Sequence, residues 1–120
     1  MHNELDVDLL NFISQDTLPF FNFVHNTNGL ITYVDESVTQ LLGFSTENFQ
    51  ADYTAHLTAN PMNKDVIKYT TRSMSGEQQK PYKVEIYDTN YNTHILTIFG
   101  KPIFKDNHVF EIRGVAKLVS

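Results

Sequence analysis

No thiol is available to this chain for chemistry, because cysteine is absent. That removes disulfides, thiolate catalysis, cysteine-ligated iron–sulfur clusters and thiol-bound zinc together. What remains are five histidines and fourteen carboxylates in 120 residues. His25 and His56 each stand alone, and a lone histidine is more often a hydrogen-bonded structural residue than a ligand. Asp35 and Glu36 are adjacent carboxylates at the start of an expected helix. Neighbours on a helix point to different faces, so the pair reads as capping residues and not as a catalytic dyad. No nucleophile elbow supports a Ser–His–Asp order, and no glycine loop is built to cradle phosphate. The chain therefore reads as a non-enzyme. A net charge of −5, with nine basic residues scattered along the chain, argues against a nucleic-acid partner.

These side chains need a scaffold, and 120 residues are enough for one core that buries roughly 65% of the unfolded surface. No apolar run approaches the ~18 residues of a membrane-spanning helix, and the N-terminus lacks a signal-peptide pattern. The expected location is cytoplasmic. Leu5, Leu9, Phe12 and Ile13 recur at helical spacing within residues 4–15, with acids in the first turn. Phe20 to His25 reads as a strand, and Asn26 to Gly29 as a turn. The run from Gly29 to Ser45 then packs a strand (Leu30 to Val34), capping residues, a short helix and a glycine stop at Gly43 into a compact unit. Ser45 to Asn48 starts a further helix leading to Phe49 and Tyr53. Asn60-Pro61 turns the chain into an expected longer helix over 62–74, with Val66, Ile67, Thr70, Thr71 and Met74 on one face. Tyr82, Val84 and Ile86 alternate with polar neighbours. Turns at Asp88 to Asn90 and Lys105 to His108 separate the last two strands, His94 to Phe104 and Val109 to Leu118. The order β-β-α-α-α-β-β-β predicts an α+β domain: a five-stranded antiparallel sheet with helices over one face. Residues 1–18 form an N-terminal amphipathic helix and residues 19–120 the domain proper.

Three stretches together resemble a PAS domain, a bacterial sensory module. G-L-I-T-Y-V-D-E-S-V-T-Q-L-L-G-F-S-T-E-N-F resembles the PAS segment from the second strand into the first core helices. T-A-N-P-M-N-K-D-V-I resembles the start of the long PAS helix. G-E-Q-Q-K-P-Y-K-V-E-I-Y, H-I-L-T-I-F-G-K-P-I-F-K-D and E-I-R-G-V-A-K resemble the last three strands. The match spans about residues 20–118. It departs from the family pattern at Asp35 (commonly Asn), Thr89-Asn90 (commonly Asp-Gly) and Asn107 (commonly Gly). The family often ends in D-I-T leading to a signalling helix, where this chain reads K-L-V-S. The resemblance implies a sensory or dimerisation module of a larger signalling protein of histidine kinase or diguanylate cyclase type, with a covalently linked output domain beyond Ser120.

Strand alternation and the resemblance turn Phe21, Phe23, Ile31, Tyr33, Val84, Ile86, Leu96, Ile98 and Gly114 toward the helices. Val38, Leu41, Leu42, Leu57, Ile67 and Met74 face them. An alternating apolar face is equally what a filled core shows, so a small-ligand pocket and a packed interaction module both stand. Tyr33, His25 and Thr71 are the polar groups available to orient a small ligand. Some relatives hold haem through a histidine on the long helix, and 62–74 contains none. The light-sensing branch uses a flavin and a reactive cysteine, whereas this chain has no cysteine and places Leu96, Ile98 and Ala116 where flavin-cradling amides would stand. Both cofactors are disfavoured. On the opposite sheet face Ile95, Thr97, Phe99 and Val115 need a cover. Either a homodimer built from Leu5, Leu9, Phe12, Ile13, Ile95 and Phe99 supplies it, or the N-terminal helix caps its own sheet.

Overall fold

The structure, a computed structural model, describes residues 6–120. Helix α1 (Val7–Ser14) precedes strands β1 (Phe20–His25) and β2 (Ile31–Val34). Helices α2 (Ser37–Leu42) and α3 (Thr46–Ala51) lead through 3-10 turns at Tyr53–His56 and Pro61–Asp65 into α4 (Val66–Met74). Strands β3 (Tyr82–Tyr87), β4 (Thr93–Lys105) and β5 (His108–Leu118) complete one five-stranded antiparallel sheet of order β2-β1-β5-β4-β3. This is the α+β architecture expected.

The local starts and stops follow the expected chemistry except at Glu36, which occupies the N-cap of α2 without a side-chain cap bond and leaves that role to Asp35. Asp6 caps α1, its Oδ1 accepting from the Asp8 and Leu9 amides at 2.9 and 3.2 Å. Asp35 Oδ1 accepts from the Ser37 amide at 2.9 Å, while its Oδ2 takes the Asn22 amide and side chain at 2.8 and 3.0 Å. The carboxylate thus ties α2 to β1 and has little capacity left for catalysis. Gly43 ends α2 at φ 87°, a conformation that disfavours any Cβ, and a Cβ there would also strike Thr89 Oγ1 at 2.1 Å.

Two elements depart from the expected phase. The stretch expected as one helix over 62–74 is a 3-10 turn followed by a shorter α-helix. Asn63 causes the change by imitating a strand: its Nδ2 donates to Glu85 O at 2.8 Å and its Oδ1 accepts from Glu85 N at 2.8 Å. Clamping that side chain to the free edge of β3 protects the edge and resets the helix that follows. Val66 and Ser73 are consequently buried and Thr70 faces inward, whereas Ile67 (65% exposed) and Thr71 point outward. The second departure is a bulge in β2. Phe23 pairs with Val34 and Val24 with Tyr33, but His25 pairs with Ile31, leaving Thr32 as the extra residue. The insertion lets Ile31 and Val34 both face the core and turns Tyr33 out, 51% exposed.

The core lies between the sheet and α2–α4, around Phe21, Val34, Val38, Leu42, Phe49, Val84, Ile86 and Leu96. On the opposite face α1 lies against β4 and β5 of its own chain. Phe12 is buried with its ring 5.2 Å from that of Phe99, and Val115 is fully buried. Lys117 beside it is only 2% exposed, its Nζ 3.9 Å above the Phe12 ring and 3.1 Å from Asp16 Oδ2. Lys101 holds the other end of α1 through Asp8 at 2.7 Å and Asp6 at 3.0 Å. Leu9, Ile13, Ile95 and Phe99 are half-buried by this packing within one chain; Leu5 lies outside the described residues.

Candidate functional site

A cavity of about 60 Å³ sits between the inner face of the sheet and the helices. β1 supplies Phe21, Phe23 and His25 to its wall, and the strands beyond supply Ile31, Tyr82, Val84, Ile86, Leu96, Ile98 and Ala116. The helical side closes it with Phe49, Tyr53, Leu57, Val66 and Thr70. Phe23 borders it in an unusual way: its ring lies flat against Gly114 on β5, filling the space a side chain would take.

Polar groups sit at separate points of an otherwise apolar wall. The Thr70 hydroxyl is shared by the Tyr53 and Tyr82 phenols, and burial pushes Tyr82 up to about 12 and raises Tyr53. Both phenols stay protonated across the physiological range. His25 is buried, and that burial lowers its pKa against the opposing effect of its bond to the Asn26 carbonyl. Its Nδ1 lies 3.0 Å from that carbonyl, which can only accept. We therefore assign the neutral tautomer with the proton on Nδ1, leaving Nε2 as an acceptor. Among the described residues Nε2 meets no hydrogen-bond partner. The wall thus sets His25 and Thr70, with its two tyrosines, among otherwise apolar side chains.

Nine of the residues that the sequence turns toward the pocket line this cavity: Phe21, Phe23, His25, Ile31, Leu57, Val84, Ile86, Leu96 and Ile98. Val38 and Leu42 are buried in the core without reaching its wall. Tyr33, Ile67 and Thr71 are placed outside it by the bulge and the shifted helix phase, and Thr70 stands where Thr71 was expected. Phe49, Tyr53, Val66, Tyr82 and Ala116 also belong to the wall. Tyr82 shares the period-two alternation of Val84 and Ile86, so its inward direction was readable; Tyr53 sits on a 3-10 turn with no comparable period.

Among the described residues, no group of three or more histidines and carboxylates could hold a metal ion, and no helix is long and apolar enough to cross a membrane. The Asp88–His94 pair, 2.8 Å apart, has its second imidazole nitrogen 3.1 Å from the Ser120 carbonyl, so both ring nitrogens are engaged.

No family model and no curated protein sequence matches this chain. Solved structures do. The N-terminal domain of a diguanylate cyclase with a PAS/PAC sensor from Marinobacter aquaeolei superposes with a TM-score of 0.74 at 12% identity, covering 84% of this chain and 95% of that one. A domain of a sensory box histidine kinase/response regulator from Geobacter sulfurreducens gives 0.65 at 15% identity, with 85% of each chain covered. The LOV domain of a blue-light activated histidine kinase from Erythrobacter litoralis gives 0.70 at 13% identity, covering 86% of this chain and 98% of that domain. The LOV likeness runs against the expectation that disfavours flavin and invites a test of fit, which the walls as they stand do not favour. The cavity is far below the roughly 300–1,000 Å³ of cofactor-sized pockets. Leu96, Ile98 and Ala116 present only hydrocarbon to it, and the chain has no cysteine. Sheet order, helix placement and these superpositions agree that the chain has the PAS fold.

Proposed function

We propose that this chain is a PAS-type sensory module that binds a small, partly polar molecule in the core cavity, without haem or flavin, and relays the change to an attached output element. The observation that carries this reading is the cavity itself, apolar but for His25 on one wall and Thr70 with its tyrosines on another. A water needs about 10–15 Å³ of such volume, so 60 Å³ suits a molecule of a few heavy atoms unless α4 moves. The route outward is short. Ala116 faces the cavity, and Lys117, the next residue of β5, faces α1. A shift of β5 is therefore felt at once by the cap helix. The module binds and relays; catalysis belongs to the output element, of histidine kinase or diguanylate cyclase type. A homodimer would use the exposed ridge of α1, where Val7 and Leu10 remain uncovered.

The modest cavity also favours a second reading, an interaction module with an essentially filled core. Native mass spectrometry of the purified chain, alone and after incubation with a panel of small polar metabolites, separates the two and reports the monomer–dimer ratio. A retained small molecule that is lost in Ala116→Leu supports sensing. If nothing binds and Ala116→Leu is destabilised, as added bulk in a filled core would be, the sensory reading falls and the interaction module stands.

A further inference from the structure

A second concavity, of about 460 Å³, opens on the other side of α3 and the 53–56 turn. It shares no lining residue with the core cavity: Tyr53 and Leu57 face the core, whereas Asp52 and His56 face the groove. Its walls combine four rings with two carboxylates. Phe44 and His56 stack at 4.0 Å, and Tyr87 and Tyr91 meet edge to face at 6.2 Å. Asp52 and Asp88 complete the lining, to which no lysine or arginine contributes.

We propose that this groove binds a small organic cation of the guanidinium type. Aromatic faces attract cations, and a planar guanidinium stacks on them while its N–H groups reach carboxylates. Both carboxylates have acceptor capacity to spare. Asp52 Oδ1 takes the Thr54 hydroxyl at 2.7 Å and the Ala55 amide at 3.3 Å, and with the Thr54 amide the carboxylate accepts three bonds, short of its four lone-pair sites. Asp88 Oδ1 takes two backbone amides and its Oδ2 only His94, so a lone pair of Oδ2 remains. Both stay ionised at neutral pH: the bond from Thr54 holds Asp52 below its ordinary value, and the bond from His94 does the same for Asp88. Tyr91 is 82% exposed and held at φ 63°, so its ring stands free at the rim for a ligand to meet. The volume falls within the range of small-molecule sites, roughly 300–1,000 Å³.

The test is a titration with n-butylguanidinium, followed by amide chemical shifts, with the neutral isostere n-butylurea as control. Saturable shifts at Tyr87, Thr89 and Tyr91 are expected with the cation only. Asp52→Asn keeps the cap acceptor and removes the charge; Tyr91→Asn suits the left-handed backbone and removes the ring. Each variant is expected to weaken binding about fivefold to tenfold. The proposal is overturned if no saturable shift appears at millimolar cation, if n-butylurea binds equally, if both variants bind like the parent, or if the shifts map to the core cavity. Of these outcomes only shifts at the core cavity bear on whether that cavity takes a ligand; the others leave that reading as it stands.

Discussion

Gly114→Ala tests how the core cavity is framed. A Cβ at this position would lie 2.2, 2.3 and 2.4 Å from three carbons of the Phe23 ring. Carbon atoms pack at about 3.5–4.0 Å, so the ring has to retreat by more than about 1 Å. Gly114 lies in the middle of β5 with no positive φ. Its backbone therefore accepts alanine without strain, and a less flexible unfolded chain would by itself stabilise the variant by about 0.4–1 kcal/mol. The clash should reverse that sign, since forcing a well-packed ring aside costs about 1–3 kcal/mol. The ring's available retreat is the 60 Å³ cavity it borders, so the variant should lose whatever the cavity binds. Urea unfolding is the assay, with a net loss of about 1–2 kcal/mol expected and a fall in Tm of roughly 3–12 °C. Phe23→Leu in the same background should recover part of the loss, with a coupling of about 1 kcal/mol in the double-mutant cycle. Gly100, across the ladder from Gly114, is the internal control: a Cβ there meets only Ile112 Cγ2 at 3.2 Å. Equal stability of Gly114→Ala and the parent, or a gain, would refute the account of Phe23.

Two further outcomes follow from the buried polar groups. Lys117→Met should stay within about 1 kcal/mol of the parent, because a hydrophobic stem keeps the packing on Phe12 and leaves Asp16 in water. Lys117→Ala should lose about 2–4 kcal/mol from the lost stem packing and the lost cation–ring contact. Urea midpoints in the reverse order would show that charge, not packing, fastens α1. For His25, burial depresses the folded-state pKa below 6.5, so the unfolded chain binds the extra proton first. Its contribution is complete above pH 6.5 and is lost as the pH falls from there through the folded-state pKa. The stability of the parent should therefore drop more steeply on acidification than that of His25→Asn, and parallel pH profiles would exclude a buried neutral imidazole.

What the sequence could and could not convey divides by the range of the physics involved. Caps and glycine stops act within a few residues, so Asp35, Ser45 and Gly43 announce α2 and α3 directly. Period-two alternation conveys the inner face of β3 and β4, which is why Ile86, Leu96 and Ile98 reach the cavity as expected. Periodicity gives a face only within an unbroken element, however, and each misplaced residue lies beyond a break. Thr32 adds one residue to β2, so the alternation that places Ile31 inward must place Tyr33 outward. Asn63 adds a 3-10 turn ahead of α4, and a helix that starts about one residue out of phase turns its faces by about 100°. That rotation keeps Val66 and Thr70 on the inner face, turns Ile67 and Thr71 out and brings Ser73 in. The bond that sets it joins Asn63 to Glu85, 22 positions away, on a strand edge whose position depends on the finished sheet. The polar chemistry of the cavity is decided by the same contact, since it brings Thr70 rather than Thr71 between the two tyrosines.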